Sequence, residues 1–397
     1  MTNARDLRRL TLCIATLASA NCGPQSHGAT PQPVIGDKTA DAGTVYSDDG
    51  GDDPPLGSGT SGNNCGQDPS VDSDKDGYTP AQGDCNDCDP LVNPGAMEVV
   101  GNNGDDNCDG TVDEPAVACD QSNAGKTDGP SLAQALEQCN SQFLESATLA
   151  GPSDVRARDV AGVFGMIAPK AGANMVVLST GLAVDKSSSS FVEPQIGTNL
   201  NASNTNANPE PKLAGAAGCS QSQPKNVNDY TELVLKLKAP TNAKSFSFNF
   251  EFMSSEYPEF VCTDFNDEFL VEMQSANEYP KQQNISFDAN KNPITVNSGF
   301  FTTCTNYSLN PETQHCVNPV SDLNGTGYED MMADLLGKIP AGGSTGWLTT
   351  TAPVTPGEEI TLHFIIFDEG DHQYDSTVLI DNLQWSLNAA TAPMTIN

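Results

Sequence analysis

The sequence predicts a mainly β protein: a jelly-roll-like antiparallel β-sandwich preceded by a small Asp-rich loop module and a disordered tether. Three observations predict it. In "SFSFNFEF" the side chains of Phe246, Phe248, Phe250 and Phe252 fall on one face and polar residues on the other, the period of a half-buried strand. "LVLKLK", "EFLVEM", "ITLHFIIF" and "TVLIDNLQWSL" keep that period between loops rich in Asn, Gly, Pro and Thr, and many short strands with little helix build sandwiches or jelly rolls. Residues 65–115 hold 13 Asp and Glu against the single Lys75, which sets them apart as an acidic module.

Charge narrows the partners. The 397 residues carry 52 acidic and 18 basic side chains, a formal net charge of -34. No basic surface exists to neutralise phosphates, which argues against nucleic acid and anionic lipid and favours divalent cations or plain solubility. No apolar run is long enough to span a membrane.

Residues 1–22 read as an export signal: Arg5, Arg8 and Arg9 precede the short apolar run "LTLCIATLASA". Two processing routes fit. Ala18-Ser19-Ala20 suits ordinary signal peptidase, whereas Cys22 followed by Gly23 is similar to the lipid-accepting cysteine of bacterial lipoproteins, from whose usual box Ser19 and Asn21 depart. Ten cysteines follow residue 22 (Cys65, Cys85, Cys88, Cys108, Cys119, Cys139, Cys219, Cys262, Cys304 and Cys316), an even number that can all pair. Cleavage after Ala20 leaves an odd eleventh, so parity favours lipidation at Cys22. Either route exports the chain to a compartment where disulfides persist and calcium is plentiful. The expected destinations are the bacterial outer membrane or cell surface by lipid anchor, or else free secretion.

Residues 23–64, rich in Gly, Ser, Pro and Asp, have almost nothing to bury and read as a disordered tether. In the module 65–115 the key stretch is "DSDKDGY". Calcium takes six to eight oxygens, and side chains at positions 1, 3 and 5 of a tight loop converge on one point, with glycine at 6 for the turn and a carbonyl at 7. Asp72, Asp74, Asp76, Gly77 and the carbonyl of Tyr78 fill those places. The bidentate glutamate of an EF-hand is missing, because position 12 is Gly83, and Asp84 and Asp87 are the nearest replacements. "DDNCDGTVDE" repeats the spacing with Asp105, Asn107, Asp109 and Gly110, followed by the Thr111 carbonyl and Asp113. Chance Asp-Gly turns in an acidic linker are the plain alternative. The lack of histidine in 65–115 makes the ligand set hard oxygen, so the stretch reads as an Asp-rich calcium-loop module.

Residues 116–155 form a connector with one helix, predicted from Leu132, Leu136, Cys139 and Phe143 at helical spacing and from Ser131 and Gln134 as a capping box. Residues 156–388 are the β domain, with a long polar loop from Ser187 to Ala207, a loop that Cys304 and Cys316 are near enough to staple, and an extra helix at "YEDMMADLLG". Residues 389–397 are a tail.

The stretch from Asp72 to Glu114 resembles the metal-binding motif of MopE-type bacterial surface proteins: Asp-x-Asp-x-Asp-Gly-Tyr, Gly-Asp-Cys, Asn-Pro-Gly-Ala-x-Glu and Asn-Cys-Asp-Gly-x-x-Asp-Glu appear in order. Val99-Val100 stands where the family usually has a cysteine, and Cys88 is extra, so the pairings considered, Cys85–Cys108 and Cys65–Cys88, are local to this chain. Nothing in these residues offers copper chemistry.

Residues 156–388 resemble the choice-of-anchor L domain of bacterial cell-surface proteins, in "FEFMSSEYPEFVCTDFNDEFLVEM", "FDEGDHQYDSTVLIDNLQW", "MVVLSTGLAVD" and "NPITVNS". The resemblance implies a β-rich exported domain and no catalytic activity. Cys262 and Cys219 depart from the pattern and are candidates to pair with each other. Three readings of the domain's carboxylates stay open. Glu256, Asp267, Asp371 and Asp375 can meet at one end of a sandwich as a second calcium site; they can simply bond loop backbone; or a carboxylate pair such as Glu256 and Asp267 can serve a hydrolase. His363 falls on the polar phase of its strand, facing solvent, and Trp347 and Trp385 read as core. No nucleophile, zinc or phosphate-loop signature appears. The expected function is non-catalytic binding or adhesion at the envelope, toward a glycan or protein ligand, with calcium as a structural ion; the rivals are a calcium-dependent lectin and a carboxylate hydrolase.

Overall fold

The alternation of Phe246, Phe248, Phe250 and Phe252 places all four rings, fully buried, between two antiparallel sheets. The structure is a computed structural model, which describes residues 68–397 except 152–153, 201–226, 262, 264, 266, 278, 280, 298–299, 306–315, 330–341 and 371. The readings of residues 1–22 with Cys22, of the tether, of Cys65, Cys219, Cys262 and Asp371, and of most of "YEDMMADLLG" lie outside the described residues.

Fourteen strands are described: β1 (Leu144–Ala150), β2 (Arg158–Ala161), β3 (Met175–Ser179), β4 (Val227–Lys238), β5 (Ser245–Ser254), β6 (Glu268–Ser275), β7 (Gln283–Asn284), β8 (Ile294–Thr295), β9 (Thr303–Cys304), β10 (Gly343–Ser344), β11 (Leu348–Pro353), β12 (Glu359–Glu369), β13 (Ser376–Ser386) and β14 (Met394–Ile396). One sheet runs β1-β4-β12-β6-β7 with β8 also on β6; the other runs β14-β11-β5-β13-β3-β2 with β10 joining β5 to β9. From β3 to β6 and again from β11 to β13, successive strands change sheet at every step, the crossing habit of a jelly roll.

The core follows from the strand period. Leu233, Leu235 and Leu237 of β4, Leu362, Phe364 and Ile366 of β12, and Phe269, Val271 and Met273 of β6 face the phenylalanines of β5 and Val378 and Ile380 of β13. Phe250 meets Phe269 at 4.9 Å and Phe248 meets Phe364 edge-on at 5.3 Å, so the aromatic contacts tie one sheet to the other. Each buried ring contributes about 1.5–3 kcal/mol. The back of β3, β5 and β13 is also covered: Met175, Val177, Met253 and Leu379 pack under Phe164, Ile167, Leu323 and Tyr328 from the loops. Trp385 packs on the core against Phe246, whereas Trp347 sits half-buried on that second cluster beneath the Lys170 ammonium.

Several expectations change. The helix is one short element, α1 (Gly129–Gln134), because Glu137 adopts a left-handed φ of 60° and turns the chain. Its cap is Asp128, whose carboxylate accepts the Ser131 N–H, so Ser131 and Gln134 do not form the expected box. The later half of the supposed connector is β1, an edge strand on β4, and the supposed tail supplies β14, which pairs with β11. His363 does not face solvent freely: its Nδ1 lies 2.5 Å from Glu232 Oε1, across the β4–β12 pair. Disulfides join Cys85 to Cys108, Cys119 to Cys139 and Cys304 to Cys316, and Cys88 is disulfide-bonded as well.

The acidic module rests on the turn between β4 and β5. Asn242 accepts the Met97 N–H (3.0 Å) and donates to the Met97 carbonyl (2.9 Å), while Thr241 N–H donates to the Gly95 carbonyl (3.0 Å). Gly95 lets the two parts approach closely, since a Cβ there would lie 2.5 Å from Tyr78 Oη and 2.8 Å from the Thr241 methyl and would force those side chains to move.

Candidate metal centre

The first loop is built by its own carboxylates. Asp72 accepts the N–H groups of Lys75 (2.6 Å) and Gly77 (3.0 Å), Asp74 that of Asp76 (3.2 Å), and Asp76 that of Tyr78 (2.8 Å). The chain can follow this path because Gly77 takes φ 100°, with Lys75 also left-handed at 71°. Asp87 comes from beyond the turn to accept the Ser73 N–H and hydroxyl (2.8 and 2.7 Å). Asp84 accepts the Asn86 N–H (2.8 Å).

Asp72 and Asp87 spend both oxygens on these bonds, whereas Asp74, Asp76 and Asp84 use Oδ1 alone. Asp74, Asp76 and Asp84 each keep Oδ2 buried without a hydrogen-bond partner. Asp74, Asp76 and Asp84 offer oxygens within 4.8 Å of one another, and so do Asp72, Asp74 and Asp87. Burial raises all three of the inward acids, Asp74 to about 6 with further help from the neighbouring Asp76 charge. An electrostatic arrangement of this kind is unfavourable alone and favourable around a cation, and the donors are all hard oxygen.

The second loop repeats three of the first loop's bonds and shifts the fourth by one residue. Asp105 accepts the N–H groups of Asp109 (3.1 Å) and Gly110 (2.9 Å), Asn107 accepts that of Asp109 (2.9 Å), and Asp109 accepts that of Thr111 (2.7 Å). Gly110 at φ 93° and Cys108 at 57° take the places of Gly77 and Lys75. Its side chains are spent differently. Asn107 donates to Glu114 Oε1 (2.7 Å), and Asp113 turns away to accept the Gly101 and Asn103 N–H groups. Among the described residues no acidic triad converges in this loop as it does in the first. Glu114, which the spacing did not single out, brings Oε2 in buried and unpartnered.

Sequence reading also missed Asn93. It is fully buried, its polar side chain moderates the raised pKa of Asp76, and its Oδ1 accepts the Gly95 N–H (2.8 Å) and the Thr241 hydroxyl (2.6 Å). A candidate ligand is thereby linked through one side chain to the sandwich. Of the β-domain candidates, Glu256, Asp267 and Asp375 are buried at one end of the sandwich, where Glu256 accepts the Asp267 N–H (3.2 Å) and Asp375 accepts the Thr198 N–H (3.1 Å).

Fold and loops together define a two-sheeted β-sandwich protein with an acidic, cation-shaped module docked on it. The chain belongs to the Choice-of-anchor L domain family, whose model matches residues 135–385. That span begins ahead of β1, in agreement with β1 being part of the sheet. A second model, described as "Putative metal-binding motif" of the MopE type, matches residues 84–114 and so takes in Asp84, Asp87 and the whole second loop. No curated protein matches the chain. Membership implies a cell-surface or exported protein, and no helix among the described residues is long and apolar enough to cross a membrane.

Proposed function

We propose that the chain is an exported cell-surface protein in which the acidic module holds calcium as a structural ion and the sandwich binds a surface ligand, glycan or protein, without catalysis. The observation that carries the metal reading is the set of buried, unpartnered Oδ2 atoms on Asp74, Asp76 and Asp84. Asp72, Asp87 and the Tyr78 carbonyl complete the first set. Asp105, Asn107, Asp109 and the Thr111 carbonyl form the second, with Glu114 in the place Asp113 leaves. Calcium supplies positive charge that offsets carboxylate repulsion, so binding energy becomes folding energy of a module with little core of its own. The residues do the rest: Asn93, whose side chain bears on Asp76, holds Thr241 of the sandwich.

Calorimetric calcium titration of the full chain tests this reading. Binding that falls at least tenfold in affinity in Asp74→Asn with Asp76→Asn supports it; titration heats indistinguishable between the two proteins sink it. Lipidation at Cys22 is the expected anchor, checked by the mass of the mature N-terminus from a bacterial envelope fraction. A free Asn21 N-terminus rules it out.

A further inference from the structure

A separate group of acids lies inside the sandwich. Where β3 and β5 end and β6 and β13 begin, Asp229, Asp267, Asp368 and Asp375 are each no more than 4% exposed. The ladder between β4 and β12 slips between Ile366 and Asp368, and Asp229 takes φ 47°. This bulge places Asp229 and Asp368 at the same end as the other two. Asp229 accepts the Leu200 N–H (3.2 Å) and pairs with His372 Nδ1 (2.8 Å), Asp267 accepts the Ser376 hydroxyl, and Asp375 accepts the Thr198 N–H (3.1 Å).

Asp368 differs. Both of its oxygens are buried with no hydrogen-bond partner. The nearby Thr180 hydroxyl tempers its charge, while its own bonds go to Ser376: it donates to the Ser376 carbonyl (3.4 Å) and accepts the Ser376 N–H (2.9 Å). Beyond burial, the charges that bear on Asp368 are those of Asp267, Asp375 and Asp229, all carboxylates. A desolvated carboxylate facing three others has two stable outcomes, a proton or a cation. The size of the cluster and its carboxylate oxygens favour the cation.

We propose that Asp368, with Asp267, Asp375 and Asp229, holds a hard divalent cation of the calcium type inside the sandwich. The set departs from the one the spacing suggested, since Asp368 and Asp229 enter it. No three of these acids bring oxygens within 4.8 Å of one another, so the ion draws them together by side-chain rotation. This site is independent of the acidic module, and its test keeps the two apart.

The test uses the full-length chain with the module silenced by Asp74→Asn, Asp76→Asn, Asp105→Asn and Asp109→Asn, stripped with chelator and dialysed against calcium. One equivalent of calcium should remain by elemental mass spectrometry, and adding Asp368→Asn should remove it. Thermal melting of Asp368→Asn in the otherwise native chain guards against a folding artefact. With an ion, calcium raises the wild-type melting temperature more than that of Asp368→Asn; with a proton, Asp368→Asn melts at or above wild type in calcium and chelator alike. The second pattern, the absence of residual calcium in the silenced chain, or a preference for zinc over calcium overturns the proposal.

Discussion

Glu137 offers a sharp test of burial electrostatics. It sits where the chain leaves α1 in a left-handed turn, with both carboxylate oxygens buried and without hydrogen-bond partners. Its neighbours are compensated: Asp120 accepts the Asn174 N–H (2.8 Å), and Asp381 accepts the Ala171 and Asn382 N–H groups (3.1 and 2.7 Å). Burial first, then the charges of Asp381 and Asp120, raise Glu137 from 4.5 to about 8. The folded state therefore binds a proton that the unfolded state has lost between those values, so stability contributed by this group falls as pH rises through that window. A shift from 4.5 to about 8 corresponds to an upper figure of about 5 kcal/mol. Partial exposure of the side chain to solvent reduces that to about 2–3 kcal/mol. Glu137→Gln removes the charge at nearly constant shape. Urea unfolding in chelator at pH 5 and pH 9 should show the variant close to wild type at the lower pH and about 2–3 kcal/mol more stable at the higher. Parallel pH profiles for the two proteins would refute the reasoning, because then the Glu137 carboxylate is ionised in both states at no cost.

Three further outcomes are expected. Asn93→Ala should cost about 1–3 kcal/mol by leaving the Gly95 N–H and the Thr241 hydroxyl without their acceptor and, as Asp76 loses a polar neighbour, shrink the calcium-dependent gain in stability, read by urea melts with and without calcium. Phe250→Ala should cost about 3–5 kcal/mol by chemical denaturation, since the ring bridges the sheets at Phe269. Gly181→Ala should cost about 3 kcal/mol or more, or abolish folding, because the added Cβ would lie 1.8 Å from Asp375 Oδ2; a melting temperature unchanged from wild type would contradict that approach.

What the sequence revealed was local. Period-two alternation in β4, β5, β6, β12 and β13 is written in adjacent residues and located the strands, although β6 and the first half of β13 are buried on both faces, the latter under loop residues. Asp72, Asp74 and Asp76 could be read as a loop because the turn chemistry lies within seven residues. The early end of α1 was hidden because Leu136 and Phe143 keep helical spacing while Glu137 breaks the backbone. Contacts between distant residues left no mark. Asn93 and Thr241 are 148 residues apart, and nothing near Asn93 announces its partner. Asp368 likewise looks like one acid among many until the slip in the β4–β12 ladder carries it into the interior.

The way successive strands change sheet has a consequence for biogenesis. In the second sheet, β13 lies between β3 and β5, with Val177 opposite Leu379 and Phe252 opposite Val378. Neither β3 nor β5 can complete its ladder until β13, which follows both in the chain, is available. Pairing across such separations is slow and leaves open strand edges in the meantime. A chain cut short before residue 376 leaves two central strands with nothing between them, so the second sheet closes only once β13 is in place.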